Sequence, residues 1–148
     1  MSLGAKEFVI CQLMGSFMLF NYLAYMKIEV SNGEIIDKIT ILEIKLERIS
    51  DPAKSLNIKK ELDILLPVAS EIINLDHHLV NLLKAANTRL WEIEDDIREL
   101  EHKSDFGADF IELARSVYKI NDERARIKRE INTLTNSGLI EEKSYKGY

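Results

Sequence analysis

Several side chains in this sequence have types and spacings that chemistry uses. Glu99 and His102 stand three apart on a helical stretch, the pairing found in di-iron bundles. Such centres need a second pair and further inward glutamates, and the sequence supplies neither. His77 and His78 are adjacent, which turns their imidazoles about 100° apart on a helix, unsuited to one shared ion. Glu92-x-x-Asp95 and Asp109-x-x-Glu112 have the spacing of carboxylate helices that hold Mg²⁺, a pattern any charged helix produces. There is no glycine-rich phosphate loop, nucleophile elbow or Cys/His cluster, so neither a metal nor a cofactor is expected.

Three polar stripes are more informative. Asn87, Trp91, Glu94, Arg98 and Glu101 follow one another at steps of 4, 3, 4 and 3. Arg115, Tyr118 and Asp122 form a second stripe, and Glu34, Lys38, Lys45 and Arg48 a third. Arg124 occupies a core-phased position between Ile120 and Ile127, with Lys128 one turn on. The candidate ligand-binding set is therefore Lys38, Lys45, Trp91, Glu94, Arg98, Arg115, Tyr118, Asp122, Arg124 and Lys128. Two explanations fit it: the walls of a cleft for a small anionic ligand, or a semi-buried network with long cationic stems lying along helix edges. A guanidinium at the Arg124 position needs a partner, because an unpaired buried charge costs several kcal/mol. Glu34, Asp37, an anionic ligand, and Glu141 or Glu142 of the tail are the candidates, and the tail is the expected answer.

The elements that must position these residues are helices. The chain has 148 residues, 46% apolar and 30% charged, with six Gly and two Pro. That is enough for one domain with a sizeable core, and few breakers among many Leu, Ile, Glu and Lys predict long helices. Ser31 to Glu34 reads as a capping box. Ile35, Ile36, Ile39, Leu42, Leu46 and Ile49 then mark one apolar face, ending at Asp51-Pro52. A second helix is predicted over about 52–103, broken or kinked at Pro67. Its heptad-spaced Ile72, Leu79, Ala86, Ile93 and Leu100 are coiled-coil-like. A third carries Phe110, Leu113, Val117, Ile120, Ile127, Ile131 and Leu134 and stops at Gly138. The expected fold is all-α: an antiparallel bundle of three principal helices, the second broken near Pro67. Residues 92–112 hold nine acids and two bases, and residues 115–129 six bases and two acids, so the last hairpin should be matched in charge. A turn centred near 105 sets Asp96 opposite Arg115 and Glu92 opposite Lys119.

Residues 27–148 thus read as a single helical domain preceded by an apolar segment, 1–26. Residues 8–26 contain no charge, and three readings stand: a membrane helix, a packed element, or a non-native or upstream-translated leader before a natural start at Met26. Lone Cys11 rules out an internal disulfide and makes the cytoplasm the default compartment, with membrane anchoring only through residues 8–26. A net charge of −5 argues against nucleic acid. Ile41 and Ile44, off the main stripe of the first helix, suggest a second apolar face and a homo-oligomer.

Read together, GEIIDKITILEIKLERI, NTRLWEIEDDIRELE, FIELARSVYKINDERARIKREIN and IEEKSY make the chain resemble a family of small uncharacterised bacterial helical proteins over residues 27–148. The resemblance implies a fold and a domain extent, and no reaction. It singles out Gly33, Glu34, Asp37, Asn87, Asn121, Asn132, Glu142, Lys143 and Tyr145 besides the whole candidate set. The function expected on these grounds is a non-catalytic interaction or self-associating module, the alternative being a binder or enzyme for a small anion.

Overall fold

The computed structural model describes residues 27–144. Among them are four helices and no strand: α1 (Asn32–Arg48), α2 (Pro52–Ile72), α3 (His78–His102) and α4 (Ala108–Leu134). Residues 27–30, ahead of the first cap, have no regular structure and are exposed. The membrane, leader and packing readings of residues 1–26 fall outside the described residues, as does Tyr145. No helix among the described residues is long and apolar enough to cross a membrane.

Local chemistry explains the helix ends. The Ser31 hydroxyl accepts from the Glu34 amide at 3.3 Å and starts α1. Asp51 accepts from the amides of Ala53 and Lys54 at 2.9 and 3.0 Å, and Pro52 fills the first position of α2, where no N–H is needed. The expected break is displaced. α2 passes through Pro67, which lies on an exposed turn, and ends at Ile72 instead. At the real break the Asn74 side chain accepts from the Asp76 amide at 2.9 Å, and His77 N-caps α3 by accepting from the Leu79 amide. These side chains offer the backbone an alternative to helical hydrogen bonds, which a solvent-facing proline does not. The second predicted helix is therefore two helices. α4 stops before Gly138: Asn136 takes a left-handed φ of 50°, and the Ser137 amide returns to the Asn132 carbonyl at 2.9 Å.

The core gathers Ile36, Ile39 and Leu42 of α1 with Ile58, Leu62 and Ala69 of α2, Leu79, Val80, Leu83 and Ala86 of α3, and Ile120, Ile127 and Ile131 of α4. α1 is the hub: it packs on all three other helices, α3 also packs on α4, and α2 packs on α1 alone. Asp37 meets Arg124 and Glu34 meets Lys128, so α4 runs antiparallel to α1, and the hairpin between α3 and α4 makes α3 parallel to α1. Lys38 meets Glu61 of α2, and Lys84 of α3 meets Glu43 and Glu47.

Two sequence expectations change here. Ile44 is buried and Ile41 half-buried, so the second apolar set of α1 is covered within the chain. The α3–α4 hairpin is joined by Arg89 and Glu123 at 2.6 Å. Among the described residues neither Asp96, Arg115 nor Lys119 enters an ion pair, and Glu92 pairs with Arg48 of α1. Asp96, Arg115 and Lys119 are exposed to solvent, and Glu92 turns to α1 instead of α4.

Candidate functional site

Gly33, Asp37, Thr40 and Ile44 lie on one face of α1 at helical spacing, and all four are buried. This face turns toward α3 and α4, away from α2, and its polar members need partners in the fold. Asp37, with a side chain only 2% exposed, receives a two-pronged hydrogen bond from Arg124: Nε donates to Oδ1 at 2.8 Å and an Nη2 hydrogen goes to Oδ2. Asn87 of α3 donates through Nδ2 to Asp37 Oδ1 and to Thr40 Oγ1, both at 2.9 Å. The Thr40 hydroxyl in turn donates to the Asp37 carbonyl at 2.9 Å. Arg124 also donates through Nη1 to Asn121 Oδ1 at 3.3 Å. Its hydrogen bonds to Asp37 outweigh burial and raise its pKa above the ordinary arginine value. The partner of Arg124 is therefore the buried carboxylate of α1, and the expectation that the tail would supply it is wrong.

One turn along, Gly33 and Lys128 bring α1 and α4 close together. The Gly33 amide donates to Asn132 Oδ1 at 2.6 Å, and a Cβ at Gly33 would lie 2.6 Å from the Lys128 carbonyl oxygen. Only a hydrogen atom fits there. Buried Lys128 reaches Glu34 of α1 and Glu141 of the tail, the latter at 2.8 Å. Burial disfavours its charge, but hydrogen bonds to Glu141 and Glu34 overcome this and raise its pKa. The same contact lowers the pKa of Glu141. The tail thus docks on α4, at Lys128 and at Arg129, which Glu142 meets at 2.6 Å.

Beside Arg124 opens a cleft of about 460 Å³ between α1, α3 and α4. Ile41, Ile44 and Leu90 form its apolar wall; Asn87, Asn121 and Arg124 lie at its inner end; Trp91, Glu94, Asp95 and Arg98 line the α3 side. Of the ten candidate residues the structure brings Trp91, Glu94, Arg98 and Arg124 together here. Lys128 sits one turn from Arg124, committed to its two carboxylates. Lys38 is on the α2 side of α1, paired with Glu61, and Lys45, Arg115, Tyr118 and Asp122 do not line the cleft. The two guanidiniums that do line it already face carboxylates, Arg124 on Asp37 and Arg98 on Glu94. Ile41, Ile44, Asn87, Leu90, Asp95 and Asn121 are cleft residues that the candidate set lacks. The signal for Asn87 was its place in the α3 stripe, for Asn121 the family resemblance and for Asp95 its spacing from Glu92; the apolar residues needed the packing. Among the described residues no three His, Cys, Asp or Glu side chains are grouped to hold a metal ion.

The sequence profile of DUF6165, a family of unknown function, matches residues 26–148. The chain belongs to this family. Neither a search of curated proteins nor one of solved structures found a match. The family's span takes in all four helices, the Asp37–Arg124 pair, the cleft and the docked tail. It leaves the first 25 residues outside.

Proposed function

We propose that this DUF6165 domain is a binding module whose cleft takes a small amphipathic molecule, seated by a hydrogen-bond acceptor on Arg124. The observation that carries this is the state of the Arg124 guanidinium. It has five N–H groups, of which Asp37 and Asn121 engage three. The side chain is held rigidly by a buried carboxylate yet remains 26% exposed and lines the cleft. A fixed donor edge beside an apolar wall is the common composition of small-molecule sites. Because the guanidiniums are already matched by carboxylates, the acceptor that fits best is a carbonyl rather than a multiply charged anion.

Caproamide is a suitable probe, with one carbonyl and a short apolar body. Its addition should shift the backbone amide resonances of Ile44, Asn121 and Arg124. Arg124→Lys keeps a cation for Asp37 and gives up the second donor edge, so caproamide affinity should fall by at least about tenfold. Unchanged affinity in Arg124→Lys, or shifts mapping outside the cleft, would remove this function.

A second reading, self-association, is favoured by α2. Leu56, Ile64 and Val68 share one of its faces and are 69%, 61% and 45% exposed. A second copy covering this face would bury them. Sedimentation should then show a dimer that Ile64→Lys converts to monomer; a monomeric parent chain excludes it.

A further inference from the structure

We infer that the outer half of the same cleft seats an organic cation, so that the ligand carries a protonated amine at the end opposite its acceptor. This rests on the binding role proposed above and adds the charge class of the molecule. Trp91, Glu94, Asp95 and Arg98 stand at i, i+3, i+4 and i+7 on α3, one face of the helix, and all line the cleft. Arg98 folds back on its own helix, with Nη2 donating to Glu94 Oε2 at 2.7 Å and Nη1 to the Glu94 carbonyl at 3.1 Å. It thereby cancels Glu94. The Asp95 carboxylate has no hydrogen bond or ion pair among the described residues, and it leaves the lining at this end one negative charge in excess.

The inner end differs: Arg124 and Asp37 cancel, leaving neutral amides and outward N–H donors. The cleft is therefore polarised along α3, with the free N–H donors of Arg124 level with Asn87 and negative charge at Asp95. The eight residue steps from Asn87 to Asp95 span about 12 Å of helix axis. Trp91 lies between, half-buried, and an indole face attracts an ammonium group. Aromatic ring, surplus carboxylate and apolar wall together select a primary amine on a short chain.

Trp91 is the only tryptophan in the chain, so its fluorescence reports on this site alone. Aminocaproamide and caproamide share the acceptor and the apolar body and differ in one ammonium group. At low salt aminocaproamide should bind about tenfold more tightly. Asp95→Asn should erase most of that margin, and added salt should narrow it. Equal affinities for the two probes, or a margin that survives Asp95→Asn, overturn the cation seat while leaving the Arg124 seat standing. Caproamide binding that ignores Arg124→Lys overturns the seat beneath it.

Discussion

The seam between α1 and α4 and the outer half of α3 draw on the same charged residue types and use them differently. In the seam, Arg124 reaches a carboxylate 87 positions away, and Lys128 one 94 positions away. In outer α3, Arg98 and the C-cap residue Lys103 pair with Glu94 and Glu99, each four residues back. Pairs of the first kind fix which helix faces which and at what height. Pairs of the second kind fix only a turn that the backbone already makes, are open to water, and contribute little. Burial and sequence separation, rather than residue type, decide whether a charge specifies the fold.

The comparison is most exposed to Arg124→Met. The replacement fills similar space but leaves the Asp37 carboxylate buried with Asn87 as its chief remaining donor. Loss of one partner of a buried pair should cost about 3–5 kcal/mol, read as a large drop in urea midpoint. Adding Asp37→Asn in the same chain should recover much of it, because the orphaned charge is then gone. A single variant as stable as the parent would mean that the seam is no different from the surface. Gly33→Ala sharpens the point with a smaller effect. A methyl 2.6 Å from the Lys128 carbonyl must push α1 and α4 apart, at about 1–3 kcal/mol. Melting curves check it, and a neutral result would show that the close approach can relax. Lys103→Gln is the foil to both: its 57% exposed ammonium meets only Glu99, and the midpoint should not move.

Much of this was legible in the sequence, for stated reasons. Ser31 and Asp51 announce helix starts because a hydroxyl or carboxylate before an apolar-periodic run has a local job to do. Arg124 declares itself because a guanidinium in phase with Ile120 and Ile127 cannot stay unpartnered. Its partner was harder to choose. Asp37 and Glu34 lie on the same helix with equal charge, and only the packing of α1 on α4 distinguishes them. The break at Asn74–His77 was hidden behind Pro67, the louder signal: proline interrupts a helix only where its missing hydrogen bond and ring have nowhere to go, and an exposed turn tolerates both. The cleft was half visible. Trp91, Glu94 and Arg98 form a periodic stripe, but Ile41 and Ile44 look like a surface for a partner until α3 and α4 cover them. Lys38, Lys45 and Arg115 fall away because equal spacing on three helices does not make their faces converge.

The 87-residue separation of Asp37 from Arg124 also sets an order in time. A ribosome adding about 5–20 residues per second emits the carboxylate several seconds before its guanidinium. During that interval α1 and α2 can pair through Ile39, Leu42, Ile58 and Leu62, while the polar face of α1 stays in water, where Asp37 is well solvated. Only when α4 has been made does burying that face become favourable. Burial of that face is thus tied to the last helix made, because a carboxylate without its arginine is more stable in water than in the core.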